Sequence, residues 1–559
     1  MKLKKIVLLA FVLALLSTTV TGRGIRPVQS NGTIYIRPDG SIEFTDKIQL
    51  DGNAYTINDN IYDEIVVEKS NIVIDGNRYT VQGSESGLGF NLIGVTNVTI
   101  KNTNINGFDY GIYLNSTTHN VLQGNNITNN GSGIFLLVSS NNTVSGNNIE
   151  SNLNGIWLRG SSDNRISGNN IKANNNYGIG VIGGLGVGLP VSSNNTIFGN
   201  NLENNGDGIW LGGTSENRIS GNNIEANRED GIVVTGSSNN TFSGNNIRNN
   251  DGGIVFWGFS TNSSISGNNI TKNYKGIWVR ESSNHNIISR NNITNNNYGA
   301  SLFRSSNNTL RNNDASNNKY NLGVYGSELS HYIQDFDELN TVDGKPVYYW
   351  VNKRDMAVPL DAGWIALVSC TRITVKNLSL TDNEEGVLLA HTTNSTITKN
   401  NITNNEDGVH LFHSSNNIVS GNTIRNNSCG LWVRAFHEFS DNFICHNNFL
   451  DNTKQVYSYD STNVWDNGVE GNYWSDYEDR YPDAEEIDDS GIWNTPYVID
   501  TNNQDSYPLI SQWTPEEEVE KEGDVPFWTE WWFWTIVVAG ILVLAGAVYF
   551  MKKRRRTRV

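Results

Sequence analysis

Apolar residues recur along the chain in short alternating groups that polar turn residues separate. In segments such as GIWL at 155–158 and GIVV at 231–234, apolar side chains occupy every second position, and Gly, Asn or Ser ends the segment after four or five residues. A period of two bounded by turn residues is typical of short β-strands. Helical periodicity is absent, and so many Asn and Gly residues would weaken helices. The pattern therefore predicts a chain of short strands.

Two apolar anchors repeat at a nearly constant interval. One follows a pair of asparagines, the other follows a glycine, and both advance by about 22 residues. The second series begins at Ile112 and runs through Ile134, Ile156, Ile179, Ile209, Ile232, Ile254 and Ile277, then resumes at Val387, Val409 and Leu431. Short strands at a fixed spacing, none able to bury its apolar face alone, indicate stacked coils.

We therefore predict an all-β fold, a parallel β-helix whose coils contain about 22 residues. One Ile or Leu per strand would point inward and stack on its equivalent in the next coil, while Asn side chains at the turns would form hydrogen-bonded ladders. Leucine-rich repeats are the alternative, but the chain has no L-x-x-L-x-L frame.

The two ends of the chain have the composition of targeting segments. A basic start and an apolar run predict a secretory signal peptide, and 20 uncharged residues at 531–550 followed by KKRRRTRV predict a membrane helix with a cytoplasmic C-terminus. The protein is thus expected in the cell membrane as a single-pass protein with its main body outside. The predicted segments are a signal peptide at 1–22, a strand-rich cap at 31–70, β-helix repeats at 71–324, an interrupting insert at 325–364, further repeats at 365–450, an acidic cap at 451–510, a linker at 511–530, the membrane helix at 531–550 and the basic tail at 551–559.

Charge narrows the range of partners. The net charge is −17, and the body is more acidic still because nine of the 40 basic residues lie at the two ends. Such a body would repel nucleic acid, so none is expected as a partner; it suits cations and neutral or basic glycans. Three cysteines are too few for a disulfide framework, and pairing of Cys429 with Cys445 stays open.

Aromatic residues recur at the second and fourth positions after the anchor glycine, which alternation places on the outer face of the strands. Flat rings interspersed with guanidinium groups suit sugar rings, although exposed rings can also pack on one another along a sheet. His410 and Phe412 also occupy the second and fourth positions after an anchor glycine, Gly408, and are therefore expected to face outward. The predicted carbohydrate-binding residues are Tyr113, Phe135, Trp157, Trp210, Trp257, Trp278, Arg159 and Arg280.

Histidines and acidic residues supply further candidate chemistry. His391 and His413 occupy equivalent positions in consecutive coils, with His410 and His437 nearby, so a copper site is possible there, with surface histidines as the alternative. Asp207, Asp230 and Asp407 precede anchor glycines and could form a glycosidase pair or a cation site, or could be turn residues. An acidic stretch at 483–500 makes a calcium site possible.

Several asparagines lie in glycosylation sequons. Asparagines inside a ladder would be shielded, so the turn residues Asn141 and Asn239 are the better predicted acceptors.

Three stretches of the chain resemble a known family. The repeats SGNNIEANREDGIVV and SGNNIRNNDGGIVF resemble right-handed parallel β-helix repeats of carbohydrate-binding and sugar-hydrolase type, DGKPVYYWVNKRDMAVPLDAGWIALVSCTRITVKNLSL at 343–380 is similar to the NosD family, and GNYWSDY with TPYVID resembles the closing segment of archaeal cell-surface relatives. The resemblance covers roughly 31–510 and implies a right-handed β-helix. It also implies a link to copper, since bacterial NosD is associated with copper delivery to nitrous oxide reductase.

Three functions are compatible with these features. The first is a membrane-anchored surface β-helix that binds polysaccharide or forms part of the cell envelope. The second is a polysaccharide-degrading or polysaccharide-modifying enzyme on the same scaffold, because fold alone does not decide function. The third is a NosD-type copper-binding protein.

Overall fold

The computed structural model describes residues 32–183, 188–435 and 441–514. The predicted signal peptide, membrane helix and basic tail lie outside these residues, as do His437 and most of the predicted linker. Within the described ranges, no helix has the length and apolarity that crossing a bilayer requires. Residues up to Ser511 belong to one compact unit, and only 512–514 are described of the other.

The predicted coils form a first solenoid in which each strand pairs in parallel with its equivalent one coil further on. Each coil contributes one strand to each of three sheets. Sheet 1, whose strands are the longest, contains in spatial order Ile42–Glu43, Ile34–Ile36, Ile65–Val67, Leu88–Ile93, Tyr110–Asn115, Ser132–Leu137, Asn154–Arg159, Tyr177–Ile182, Asp207–Gly212, Ile232–Thr235, Gly252–Trp257, Lys275–Arg280, Tyr298–Phe303 and Tyr320–Tyr325.

The other two sheets of the first solenoid consist of shorter strands. Sheet 2 contains Ile48–Asp51, Ala54–Ile57, Ile72–Asp75, Val98–Lys101, Val121–Gln123, Thr143–Ser145, Arg165–Ser167, Thr196–Phe198, Arg218–Ser220, Thr241–Ser243, Ser264–Ser266, Ile287–Ser289, Thr309–Arg311 and Asp335–Phe336. Sheet 3 contains Thr80–Gln82, Asn104–Asn106, Asn126–Thr128, Asn148–Glu150, Asn170–Lys172, Asn201–Glu203, Asn223–Glu225, Asn246–Arg248, Asn269–Thr271, Asn292–Thr294, Asp314–Ser316 and Thr341–Val342.

A second solenoid follows the interruption of the repeat. Sheet 4 contains Lys345–Val351, Trp364–Val368, Glu385–Ala390, Asp407–Phe412, Cys429–Arg434 and Lys454–Tyr459. Sheet 5 contains Arg354–Ala357, Thr371–Lys376, Thr396–Thr398, Ile418–Ser420 and Phe443–Cys445, and sheet 6 contains Ser379–Thr381, Asn401–Thr403, Thr423–Arg425, Asn448–Leu450 and Tyr473–Trp474. The short helices Leu329–Tyr332 and Tyr477–Arg480 and the strand pair Tyr497–Val498 and Gln504–Asp505 complete the described elements.

The interior of each coil is built as the repeat predicts. The anchors Ile127 and Ile149 pair in register and are fully buried, as is Ile156 in sheet 1. At the corners, buried asparagines form ladders: the Asn222 side-chain amide donates to the Asn245 side-chain oxygen at 3.0 Å and to the Ile197 carbonyl at 3.0 Å. Because every corner places polar groups away from water, these hydrogen bonds offset the cost of their burial.

The two solenoids meet where sheet 3 turns into sheet 4. Strand Thr341–Val342 pairs antiparallel with Lys345–Val351, and sheet 4 then continues in parallel. One face of sheet 4 lines the core of the second solenoid, whereas Leu388, Ala390 and Phe412 on its other face belong to the core of the first. Sheet 4 is therefore buried on both faces near the junction.

This double burial corrects the expectation that the second and fourth positions face outward in every coil. His410 is only 1% exposed and Phe412 is fully buried, because the end of the first solenoid covers them. The three cysteines Cys370, Cys429 and Cys445 are buried and free, so the pairing left open by the sequence is not formed.

Candidate functional site

The predicted aromatic residues lie on the outer face of sheet 1. Tyr113, Phe135, Trp157 and Trp210 are half-buried there. The first three stack in register on successive strands, and Gly180 occupies the equivalent position between Trp157 and Trp210. Trp278 and Arg280 are half-buried further along the same face, and Trp257 is 48% exposed. Arg159 is also half-buried on this face and pairs in register with Leu137 and Ile182.

Five rings in the first half of this face contact one another in sequence. Tyr110 stacks on Phe135 at a centroid distance of 5.1 Å, and Tyr177 stacks on Trp210 at 4.7 Å. Trp157 bridges the two pairs with edge contacts of 6.2 Å to both Phe135 and Tyr177. We call these five residues the first ring cluster. Tyr110 and Tyr177 come from the position before the anchor glycine, which sequence reasoning did not include.

Glycines make room for these rings on the sheet. A Cβ atom at Gly212 would lie 3.0 Å from the Trp210 indole, and one at Gly180 would lie 3.7 Å from the Tyr177 ring. Each ring therefore leans across a strand position that has no side chain. The rings therefore do pack on one another, which is the alternative to a binding role. This packing still leaves the cluster partly exposed.

A second group of rings is organised around cations. The Arg280 guanidinium carbon lies 4.2 Å from the Trp257 ring centroid and 4.2 Å from that of Trp278. The Lys275 ammonium lies 3.4 Å from the Trp278 centroid. Val255, between these coils and the first ring cluster, is only 2% exposed, so the aromatic face has two parts. We call Trp257, Trp278, Lys275 and Arg280 the second ring cluster.

The second ring cluster leads into a cleft at the junction of the two solenoids. The cleft has a volume of about 470 Å³. Its walls are Tyr274, Lys275, Ile277, Trp278, Tyr298, Ser301, Phe303 and Tyr325 from the first solenoid and Glu384, Glu406 and Asp407 from the second. Two sheets whose outer faces meet at a corner therefore bring aromatic rings and carboxyl groups together.

Backbone pairing across the junction fixes the acidic wall. The Glu384 amide donates to the Leu322 carbonyl at 3.0 Å, and the Asn321 amide donates to the Asp382 carbonyl at 2.6 Å. The Glu384 side chain accepts a hydrogen bond from the Ser301 hydroxyl at 3.1 Å. Gly323 admits this side chain, since a Cβ atom there would lie within 2.4 Å of the Glu384 carboxyl.

Burial raises the pKa of three glutamate side chains in and behind this wall. Burial, followed by the negative charge of Glu406, raises the pKa of Glu384 well above its ordinary value. Burial, followed by Glu384, does the same to the pKa of Glu385, and burial with Asp407 raises the pKa of Glu406. Desolvation disfavours a charged carboxylate, and crowding of like charges adds to the effect. The surroundings of the cleft therefore disfavour the charged forms of Glu384, Glu385 and Glu406.

Asp407 is held by partners from both solenoids. Its Oδ2 atom lies 2.8 Å from His410 Nδ1 and accepts the Tyr325 hydroxyl at 3.2 Å. The His410 ring stacks on Trp432 at 4.0 Å. Asp407 begins a strand and is 7% exposed, so it is not a turn residue.

The predicted histidine pair is present in the geometry that the repeat implies. His391 and His413 stack with centroids 5.2 Å apart. Burial, followed by His391 and Arg434, lowers the pKa of His413 to about 4. Within the described ranges, which do not include His437, His, Cys, Asp and Glu side chains form no group of three or more able to hold a metal ion. Copper and calcium binding stay predictions.

Asp207 and Asp230 lie side by side in the first solenoid. Asp207 accepts the Asp230 amide at 2.9 Å. Burial raises the pKa of Asp207 to about 7 and that of Asp230 to about 6. This pair is separate from the acidic wall of the cleft, which is lined by Glu384, Glu406 and Asp407.

The two predicted glycosylation sites are accessible. Asn141 and Asn239 are exposed at turns, with backbone φ of 57° and 56°, while the next residues, Asn142 and Asn240, are buried in the ladder. Their use as acceptors stays a prediction.

Sequence reasoning missed Glu384, Glu385 and Glu406. A signal was available: the anchor glycines at 386 and 408 are each preceded by two acidic residues, EEG and EDG, in consecutive coils. Glu385 and Asp407 indeed pair in register. This sequence pattern does not predict which part of the chain packs over these residues.

Comparison with known proteins defines first the class and then the family. The family described as "Right handed beta helix region" matches residues 46–201, so the protein is a right-handed parallel β-helix. The family described as "Periplasmic copper-binding protein (NosD)" matches residues 185–345 and 358–479, more than half of the 559 residues. The chain belongs to the NosD family. No curated protein matches it.

Several solved structures are similar to parts of this chain. The periplasmic alginate epimerase AlgG, in a single-substitution form, is 15% identical over 56% of this chain and 84% of its own, with a TM-score of 0.40. The A-module of the Azotobacter vinelandii mannuronan C-5 epimerase AlgE6 is 16% identical over 52% and 79%, with a TM-score of 0.36. The Dettilon tailspike protein is 13% identical over 69% and 62%, with a TM-score of 0.32. Each is similar to this chain in fold only.

Proposed function

We propose that this protein is a membrane-anchored cell-surface β-helix that binds a polysaccharide along the outer face of sheet 1. The observation that carries the proposal is the first ring cluster, in which five partly exposed rings form a connected surface outside a core that is already complete. A contiguous apolar patch on a soluble surface usually marks a contact site.

The chemistry of the face suits a sugar chain. Aromatic faces and edges accept the apolar C–H surface of a pyranose, and the indole N–H can donate to a hydroxyl. Trp157 Nε1 has no hydrogen-bond partner among the described residues, which supports a ligand oxygen as its acceptor. A long polymer can contact several coils at once, and this multivalency turns weak contacts into useful avidity. The acidic body favours neutral or basic polymers over polyanions.

Binding can be separated from folding by substitution on the face. We expect the full-length Trp157→Ala/Trp210→Ala/Trp257→Ala protein to lose retention on neutral polysaccharides at least about tenfold, which corresponds to about 1.4 kcal/mol. The control is Ile287→Ala, since Ile287 is 48% exposed and lies on sheet 2, outside the face. Thermal melting of each variant reports on folding.

Retention of the triple variant at the wild-type level, with a normal melting curve, would rule out the face as the binding surface. Early melting would show that the rings are structural. A reducing-sugar assay on the same incubations distinguishes binding from polysaccharide degradation, because cleavage generates new reducing ends.

The anchored topology has its own test. The sequence supports it through the basic segment after the apolar stretch at 531–550. Protease added to intact cells should remove the body and leave a small C-terminal fragment, detected with an antibody against the tail. A fully protected body would contradict the proposal.

A further inference from the structure

The cleft at the junction differs in chemistry from the rest of the aromatic face. It lies at a concave corner, and its volume of about 470 Å³ falls within the range of roughly 300–1,000 Å³ typical of small-molecule sites. One wall is aromatic, with Trp278 and Tyr298, and the facing wall is acidic, with Glu384, Glu406 and Asp407. The cleft is thus built to contact a ligand from two sides.

One carboxyl oxygen in the acidic wall lacks a partner. Glu384 is 3% exposed, and its Oε2 atom accepts the Ser301 hydroxyl. Its Oε1 atom is buried and has no hydrogen-bond partner among the described residues. A buried carboxyl oxygen left unpaired costs free energy, which a ligand that donates a hydrogen bond would recover. In the carboxylate form, Glu384 therefore needs a hydrogen-bond donor inside the cleft.

The aromatic wall already holds a cation. The Lys275 ammonium lies 3.4 Å from the centroid of Trp278 and 5.7 Å from that of Tyr274. The rings of this wall therefore provide the electron-rich faces that attract ammonium groups. Glu406, half-buried, accepts the Tyr298 hydroxyl at 3.4 Å and adds a second carboxyl group to the opposite wall.

We propose that the cleft binds an amine-bearing pyranose, a unit of an amino-sugar polymer, with the ring packed against the aromatic wall and the ammonium group donating to Glu384 Oε1. This inference rests on the proposed function, because it assigns the sugar class that the polysaccharide-binding face takes at the junction. The ammonium supplies the missing donor and a positive charge, and charge-assisted hydrogen bonds are about twice as strong as neutral ones.

Binding should be linked to proton release. In the free protein burial and Glu406 raise the pKa of Glu384, so the neutral form of this carboxyl is favoured. An ammonium group favours the carboxylate, so the acid loses its proton when the ligand binds, and affinity should rise as pH increases until the ligand amine itself deprotonates. The other charged or titratable groups around Glu384 are Lys275, Glu385, Glu406 and Asp407, with Tyr298 and Tyr325 further around it and Lys319 beside Glu406.

The test uses three β-1,4-linked tetrasaccharides of one geometry, made of glucosamine, N-acetylglucosamine or glucose. Calorimetry on the full-length protein should show the glucosamine tetramer binding at least about tenfold more tightly than the other two. In buffers of different ionisation enthalpy, its binding should release protons. Glu384→Gln should remove both the preference and the proton release, and it should fold normally because an amide resembles the neutral acid.

Glu225→Gln is the control, since it removes one carboxylate that pairs with Arg248, away from the cleft. It should bind the glucosamine tetramer as the wild type does. Equal affinity for the three tetramers, or an unchanged preference in Glu384→Gln, would overturn the assignment of the cleft while leaving the polysaccharide-binding face intact. If no tetramer and no neutral polysaccharide binds, the proposed function itself fails.

Discussion

The outer faces of sheet 1 and sheet 4 are made from the same repeat but have different surroundings. In sheet 1 the fourth position after the anchor glycine is exposed or half-buried wherever it carries a side chain, as at Trp257, which is 48% exposed. In sheet 4 the same position is filled by Phe412, which is fully buried against Tyr332 at a ring distance of 4.8 Å. The end of the first solenoid covers one face and leaves the other open.

The difference shows how a uniform repeat acquires a local site. A solenoid of equivalent coils would offer the same surface along its whole length. Because the chain turns after Tyr320–Tyr325, two outer faces meet at a corner and form a cleft. Acidic residues that would be solvated on an open coil become buried there, which raises the pKa of Glu384 and Glu385.

The largest expected effect compares equivalent aromatic positions in the two sheets. Phe412→Ala should lower the free energy of unfolding by about 3–5 kcal/mol, because it leaves a cavity between the two solenoids. Trp257→Ala should cost less than about 1 kcal/mol, mostly through the lost contact with Arg280. Denaturant unfolding of both variants measures the difference. Similar losses of unfolding free energy in the two variants would show that the outer faces of sheet 1 and sheet 4 do not differ in burial.

The next comparison concerns a feature that the solenoids share. Asn222→Ala and Asn400→Ala should each cost about 2–3 kcal/mol, since each leaves a buried carbonyl, Ile197 or Val375, without its side-chain donor. The control is Asn223→Ala, whose half-buried side chain donates outside the core to Asn201. Equilibrium unfolding measures all three. A much smaller cost in the second solenoid would mean that its coils do not depend on the ladder.

The smallest expected effect is a pH dependence that differs between the regions. A carboxyl group whose folded pKa is raised contributes stability below its unfolded pKa of about 4, and this contribution is lost as pH rises through the folded pKa. Asp207→Asn should therefore make the free energy of unfolding less dependent on pH between the unfolded pKa of about 4 and the folded pKa of about 7. Glu385→Gln should flatten the stability profile from about pH 4 upward, because burial and Glu384 raise the pKa of Glu385.

Unfolding free energies measured across this pH range test both variants. Asp163→Asn is the control, because the Asp163 side chain is exposed. A wild-type profile in Glu385→Gln would show that Glu385 is not held in its neutral form at the junction.

Most of the fold was predictable from the repeat. The strands, their period, the inward anchors such as Ile156 and the asparagine ladder all follow from local patterns, and the structure confirms them. The aromatic residues were found on the correct face, but their division into two clusters was not predicted, since the burial of Val255 depends on neighbouring side chains. The cleft was missed because its two walls are far apart in sequence, as Ser301 and Glu384 illustrate with a separation of 83 residues.

The sequence by itself determined which residues face the core, because alternation within a strand and a period of about 22 residues are local properties that every coil repeats. Only the tertiary structure decided what the outer faces contact. The direction of the chain at 325–364 places the acidic residues of sheet 4 against the rings at the end of sheet 1. That placement depends on packing between distant coils, for which the repeat contains no signal.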